Sequence, residues 1–329
     1  MPATDVSSRI RGSHLGLFLG DALAMPAHWY YNRAALRSDY GVITDLVAPR
    51  ATHPDSILWR SKYRAPNAKG EILHDQAQYW GQRGVHYHQF LQAGESTINL
   101  KLAAIALRSI REHGRYEPED YLRRYVDFMT TPGRHRDTYL EECHRHFFER
   151  YALDVDPRRC AAVEKHVGGL AGPLAVAAAL SERPDEAREA ALEHMRWTHQ
   201  GPAMESALHL VLDILFELFD GISLEDAIGR RLDGDSLPAE MKSWLSFPDE
   251  AVIGGLLSPA CYLDDAVPAT IYLALKYADD PQRALIVNAN LGGDNCHRGA
   301  VLGALLGAAH GPKAWPQRWR DGLLDLPPA

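Results

Sequence analysis

Three glycines at four-residue spacing, Gly299, Gly303 and Gly307, constrain this chain more than any other feature in it. On a helix they share one face and leave no side chain to hold a second backbone at a distance. The stretch ahead of them, Leu291-Gly-Gly-Asp-Asn-Cys-His-Arg-Gly299, is polar, whereas Ala300-Val-Leu-Gly-Ala-Leu-Leu-Gly-Ala-Ala309 is small and apolar. Gly292 and Gly293 permit a sharp turn, and Asp294 or Asn295 is placed to cap the helix that follows. The first amides of that helix form the positive end of its dipole, where an anion or a metal-bound ligand is favoured. A polar turn held on a rigid helix is the expected frame of a functional site.

The rest of the chain reads as helical. Apolar residues recur at helical spacing from Arg9 to Ala24, Ile98 to His113, Pro173 to Ser181, Ala203 to Phe219, Val267 to Tyr277 and Pro281 to Asn288, with short Pro, Gly and Asp punctuation between them. Strand patterns are scarce, and no fixed-period repeat points to a solenoid. With 329 residues, 46% of them hydrophobic, the chain is long enough to bury one large core. The expected fold class is all-α: a single-domain orthogonal multi-helix bundle spanning 1–329.

Charge and cysteine usage narrow the function classes. The formal net charge of −8, with no basic stripe interleaved with aromatics, argues against nucleic acid as a partner. Cys143, Cys160, Cys261 and Cys296 are widely spaced and form no CxxC pair, which suits a reducing, cytoplasmic setting rather than a disulfide framework. No apolar run approaches the roughly 20 residues needed to cross a bilayer, and the first residues lack a signal-peptide pattern, so no membrane partner is expected. The oligomeric state has no signature, because close packing inside one chain explains the Gly/Ala-rich helix as well as dimerisation does.

A long loop insertion at about 40–90 breaks the helical rhythm. Within it, His74-Asp-Gln-Ala-Gln-Tyr-Trp-Gly-Gln-Arg-Gly-Val-His-Tyr-His-Gln89 collects hydrogen-bonding groups and flat aromatic faces, as the wall of a ligand site would. His86 and His88 flank Tyr87, so an extended chain puts both imidazoles on one side, ready to bind a metal or grip a phosphate. The plainer reading gives them backbone partners within the loop. Thr198-His199 and Asp264-Asp265 read first as helix caps, and Asp21 as a brace at the end of its helix.

These segments together carry a resemblance. Gly16-Leu-Phe-Leu-Gly-Asp-Ala-Leu-Ala-Met-Pro26, Thr198-His-Gln-Gly-Pro202 and Gly292-Gly-Asp294 through Gly307-Ala308 resemble, in order, the landmarks of the ADP-ribosylglycohydrolase family. The resemblance implies an all-α fold around a cleft with two divalent metals, usually Mg²⁺ or Mn²⁺. The implied activity is hydrolysis of the glycosidic bond between ADP-ribose and an acceptor, so the expected partner is a small-molecule or ADP-ribosylated ligand.

Several family positions are altered here. His28 stands where the first landmark ends in an acid, and the T-D-D-T metal segment falls on Ala93-Gly94-Glu95-Ser96, leaving one carboxylate. In the last landmark Asp294 remains, while Cys296 and His297 replace the second Asp and the Thr. A pair of hard cations needs several carboxylate oxygens, and Glu95 with Asp294 supplies few. The substitutions are similar to a divergent branch of the family that includes the jellyfish J1 crystallins, lens proteins for which membership does not require catalysis.

The resulting expectations are specific. Glu95, Asp294, Cys296 and His297 are the candidate catalytic residues, with Glu95 and Asp294 as metal ligands that Cys296 and His297 could join around Zn²⁺. His28, Trp29, Tyr30, His86, Tyr87, His88, Gly292, Gly293, Asn295 and Arg298 are the candidate binding residues, with the turn receiving a diphosphate and the rings stacking on a base. Two alternatives accompany this reading. One is a non-catalytic binding or structural protein of the J1-crystallin type. The other is a thiol enzyme or redox sensor whose Cys296 is activated by the helix dipole and His297.

Overall fold

The computed structural model describes residues 5–232 and 237–327. The helices among them are α1 (Val6–Ala24), α2 (Arg33–Tyr40), α3 (Ile98–His113), α4 (Pro118–Thr130), α5 (Glu142–Tyr151), α6 (Ala171–Ala179), α7 (Pro184–Arg196) and α8 (Pro202–Phe219). They continue with α9 (Leu224–Leu232), α10 (Met241–Trp244), α11 (Asp249–Val252), α12 (Leu263–Lys276), α13 (Pro281–Leu291), α14 (Asn295–His310) and α15 (Gln317–Gly322). Two short strands, β1 (Ala162–Val163) and β2 (His199–Gln200), pair in parallel. The all-α expectation therefore holds, and no described helix is long and apolar enough to cross a membrane.

Caps and prolines explain where the helices begin. The Asp5 carboxylate accepts the Ser8 amide at the start of α1, Asn32 accepts two amides of α2, and Asp280 accepts the Arg283 amide of α13. Pro118, Pro184, Pro202 and Pro281 each open a helix, where a missing N–H leaves no bond unmade. Helix α3 covers the predicted Ile98–His113 and stops at Gly114, whose φ of 70° forms a left-handed cap. Thr198-His199 does not cap α8: that helix starts after Gly201 without a side-chain cap, and buried His199 belongs to β2. Asp264 and Asp265 lie in the first turn of α12, where acids suit the dipole.

The glycine stripe of α14 meets a second stripe on α1. Gly12 faces Gly307, Gly16 faces Gly303 and Gly20 faces Gly299, so the helices run antiparallel with backbones touching. A Cβ built on Gly16 would lie 1.9 Å from the Gly303 carbonyl oxygen, a distance no real side chain tolerates. This pair occupies the middle of the molecule, and α8, α12 and α13 pack around α14. The antiparallel arrangement puts the end of α1 and the start of α14 at the same place, which brings His28 to Asp294.

Residues 41–97 contain short 3₁₀ turns at Ala68–Gly70 and His74–Tyr79 and no α-helix. The segment is nonetheless packed, with His53, Leu58, Ile72, Leu73, His86, Tyr87, His88 and Leu91 buried. Its end is tied to α1 through Asp21, whose two carboxylate oxygens accept the Thr97 amide and hydroxyl, each at 2.7 Å. Thr97 is the cap residue of α3, so the anticipated bracing role of Asp21 joins two helices. Burial raises the Asp21 pKa to about 6 despite the Thr97 bonds that favour its charge.

Two predictions follow from this packing. Gly303→Ala should destabilise the protein by about 3 kcal/mol or more, because its Cβ would need the backbones to separate. Gly229→Ala, in α9 with nothing within 4 Å of the added carbon, should be neutral or stabilising by up to about 1 kcal/mol. Thermal unfolding of both variants checks the contrast. Asp21 has a folded pKa above its unfolded value, so its contribution is present below the unfolded value of about 4 and is lost as pH rises through about 6. Asp21→Asn should therefore gain on the wild type between those pH values, by on the order of 2 kcal/mol, in denaturant unfolding at each pH.

Candidate functional site

The turn that joins α13 to α14 is a rigid bracket. Gly292 and Gly293 both have φ near 66°, and a Cβ on either would meet a carbonyl oxygen, of Tyr30 or of Pro259, at 2.1 Å. Trp29 donates its amide to Gly293 O (2.8 Å), Gly293 donates to Tyr30 O (2.7 Å), and Asp294 donates to Pro259 O (2.8 Å). The Gly293 and Asp294 amides are thus bonded within the protein, which corrects the expectation that this turn offers them to a diphosphate. Arg298 and Asn295 are also turned inward. The Arg298 guanidinium donates to Asn288 Oδ1 (2.7 Å) and Gly292 O (2.9 Å), and Asn295 Nδ2 donates to Ala289 O (2.9 Å). Both brace the turn.

Asp294 is the centre of the polar cluster. It occupies the cap position of α14, yet its carboxylate bonds no amide of that helix. One oxygen, Oδ1, lies 3.0 Å from His28 Nε2 and 2.8 Å from His297 Nδ1. The other, Oδ2, is buried without a hydrogen-bond partner. His297 Nε2 lies 3.4 Å from Glu141 Oε1, so its ring sits between two carboxylates. Burial opposes charge on His297, but Asp294 and Glu141 together hold its pKa well above the usual histidine value. Burial would likewise raise the Asp294 carboxyl, and the His297 charge with the His28 bond holds it far below the usual range.

A line of side chains extends from this centre in both directions. His28 Nδ1 is 2.8 Å from His88 Nε2, and His88 Nδ1 is 2.7 Å from Asp137 Oδ1. On the other side Asn99 Nδ2 donates to Glu141 Oε1 (2.7 Å), Asn99 Oδ1 meets His144 Nε2 (3.1 Å), and His144 Nδ1 meets the Tyr125 hydroxyl (2.8 Å). Glu141, Asn99, Asp137 and His144 escaped the sequence reading because none belongs to a recognised motif: Asn99 lies in α3, and Asp137, Glu141 and His144 lie around the start of α5. The buried His-rich loop was the available signal, and it pointed to His88 alone.

Counting protons limits what the line can be. The contacts Asp137–His88, His88–His28 and His28–Asp294 need three protons, and two neutral imidazoles carry two. Either the pair shares a third proton and one positive charge, or a cation stands in for the proton at His28 Nε2. Burial lowers His28 to about 3, which disfavours a second proton on that ring.

The remaining expected residues fall into place around this cluster. Trp29 stacks on His28 with ring centroids 3.8 Å apart and meets Tyr87 and Tyr139 edge-on. Its φ of 62° is strained for a bulky residue, a feature common at ligand sites. Tyr30 is buried and donates its hydroxyl to Asp39, so it cannot stack on a base from this position. The Tyr87 hydroxyl accepts the Ile57 amide, and the His86 ring bonds Pro26 O, so both support the wall. Tyr31 is 49% exposed at the outer edge. Burial, then the charges of Asp294 and Cys261, raise its phenol.

Two of the expected catalytic residues are elsewhere or inert. Glu95 is held by Lys101 (2.5 Å) and Arg136 (2.6 Å), and its pKa lies below the usual range because these cations outweigh its burial. Its charge is already matched. The Cys296 thiol is fully buried against α1, 3.6 Å from Asp21 O, and burial with the nearby carboxylates pushes its pKa well up. The expected activation by dipole and imidazolium is therefore reversed.

The metal expectation can be tested on the donors. Among the described residues, the group of three whose ligand atoms converge within 4.8 Å is His28, Asp294 and His297. With Glu95 engaged by Lys101 and Arg136, Asp294 is the one carboxylate in that group, fewer oxygen ligands than a pair of Mg²⁺ or Mn²⁺ ions takes. Two imidazoles and a carboxylate with a free oxygen suit one nitrogen-accepting ion, which would take the place of the proton on His297 Nδ1. A separate cavity of about 620 Å³ at the far end of α1 and α3, lined by Arg11, His14, Leu107, Arg111, Leu180 and Leu323 among others, lacks such a donor set.

Comparison with known proteins bears on the fold and the family. No curated protein matches the chain. A solved structure titled "ADP-ribosylglycohydrolase-related protein complex" superposes with a TM-score of 0.60 at 22% identity, covering 97% of this chain and 93% of that one, which speaks to the fold. The model of the ADP-ribosylglycohydrolase family matches residues 2–328. The helical fold, the paired glycine helices and a match along nearly the full length lead to one assignment: this chain belongs to the ADP-ribosylglycohydrolase family.

Proposed function

We propose that this protein is an ADP-ribosylglycohydrolase-like hydrolase that cleaves a glycosidic bond of ADP-ribose or a related nucleotide-sugar, with one ion at His28, Asp294 and His297 in place of the family's metal pair. The Asp294 carboxylate, with Oδ1 set between two imidazoles and Oδ2 buried without a partner, carries this reading. Glycosidic cleavage passes through a centre with oxocarbenium character and needs an oriented water. The Asp294 carboxylate, ionised throughout the physiological range, stabilises positive charge there. Asp137 and His88 orient the His28 ring from behind, as carboxylate–histidine pairs do for metal ligands. Trp29 covers the His28 face and excludes bulk water, while the exposed Tyr31 ring offers an aromatic surface to the base. An ion such as Zn²⁺, when bound, supplies Lewis-acid polarisation of water and ribose hydroxyls.

Calorimetric titration with ADP-ribose, after EDTA treatment and again with Zn²⁺ or Mn²⁺ restored, tests the proposal. Binding should require the ion. Asp137→Asn should weaken ion affinity about 10–100-fold, Asp294→Asn at least as much, and Glu95→Gln should leave it unchanged. ADP-ribose binding that is indifferent to metal would replace the ion by the shared proton. Absence of binding in every state, together with no release of ADP-ribose from modified substrates, would overturn the reading in favour of a structural protein of the J1-crystallin type.

A further inference from the structure

The cysteine with access to solvent is not the one that the helix dipole singles out. Cys143, Cys160 and Cys296 are buried, whereas Cys261 is half-buried on the segment that leads into α12. Burial pushes the thiols of Cys143 and Cys296 well up and that of Cys160 to about 11. Cys261 has different neighbours. The His166 ring neighbours its thiol, and His166 Nδ1 lies 3.0 Å from Glu164 Oε2.

The backbone fixes this arrangement. His166 and Tyr262 form an antiparallel bridge, in which Val167 donates to Cys261 O (2.9 Å) and Leu263 donates to Lys165 O (2.9 Å). Glu164 is anchored in turn by its amide, which donates to Gln200 O at 3.0 Å. The three side chains are graded in exposure, with Glu164 at 8%, His166 at 23% and Cys261 half-buried. Among the described residues, their ligand atoms are not a group that converges within 4.8 Å, so thiol and carboxylate sit apart on either side of the imidazole. This is the order of nucleophile, base and orienting acid.

We propose that Cys261, His166 and Glu164 form a nucleophilic thiol site that undergoes exchange with small disulfides at the rim of the polar cluster. The rim position follows from Pro259, two residues before Cys261, whose carbonyl accepts the Asp294 amide. The Cys261 sulfur attacks one sulfur of the incoming disulfide, a new S–S bond forms and the old one breaks. The electron pair leaves on the departing thiolate, which takes the proton held by His166. One thiol and one disulfide thus become one mixed disulfide and one thiol. The inference does not depend on the ADP-ribose reading.

The electrostatics support the geometry. The Cys261 thiol first, and Glu164 second, raise His166 to about 11, so the ring stays protonated beside the sulfur. Other titratable groups facing the trio are His146, 4.0 Å from Glu164 Oε1, His199 and Tyr31, with Asp264 and Asp265 in the first turn of α12.

The test is incubation of the intact protein with glutathione disulfide near pH 6.5, below the ordinary thiol pKa of about 8.5, followed by peptide mapping of each cysteine. Cys261 should carry the adduct at least about tenfold faster than Cys143, Cys160 or Cys296. His166→Gln should slow it about tenfold at that pH and little above pH 9, where the thiol ionises unaided. Glu164→Gln should slow it less. Equal rates in wild type and His166→Gln, or modification of Cys261 only after unfolding, would overturn the proposal. Thermal unfolding checks each variant's fold. Should His166→Gln not fold, the pH profile of the wild type decides: a midpoint near the ordinary thiol value sinks the proposal, and one at least a unit lower supports it.

Discussion

Backbone contact between α1 and α14 is the constraint on which the rest of this structure depends. Three glycine pairs let two helices approach until carbonyl oxygens of one touch Cα atoms of the other, and no side chain intervenes to make the distance adjustable. Van der Waals contact at this range is steep, so the relative position of the two helices is well defined. Because they are antiparallel, that definition passes directly to the end of α1 and the start of α14. His28 and Asp294, 266 positions apart in sequence, are held within hydrogen-bonding distance by it.

The second organising element is charge kept away from water. Asp294, Glu141 and Asp137 are carboxylates set among imidazoles, and each is stabilised as an anion by its neighbours against the penalty of burial. A buried network of this kind tolerates few alternatives, since removing one partner strands another. The same logic separates the two acids expected to share a function. Asp294 retains an oxygen without a partner, whereas both Glu95 oxygens are engaged by cations. Position in the family pattern made them look equivalent; their surroundings make them different.

Cysteine chemistry follows the same rule. A thiol next to a helix N-terminus and a histidine looks activated in one dimension, but Cys296 points into the α1–α14 interface and meets carboxylate charge and no water. Cys261 carried no local signal, because its histidine and acid come from a segment almost a hundred residues upstream. The buried tyrosine tells a similar story. Tyr30 sits next to Trp29 in sequence, yet one ring is sealed in the core and the other covers His28, because the backbone turns at Trp29.

The sequence by itself determined the all-α class, the long helices, the close approach implied by Gly299, Gly303 and Gly307 and the bracing role of Asp21, and it singled out Asp294, His28, His297 and His88, which the structure brings together. These are local properties: period, turn chemistry and residue type. Tertiary structure alone decided that α1 supplies the matching stripe, that Glu141, Asn99, Asp137 and His144 complete the polar line, that the Gly293 and Asp294 amides are already bonded, and which cysteine meets an imidazole. Each of those depends on which distant segments share a neighbourhood, and on whether a hydrogen-bonding group is left free once they do. Spacing along a chain sets the direction in which a side chain points from its own helix, but not what it meets there.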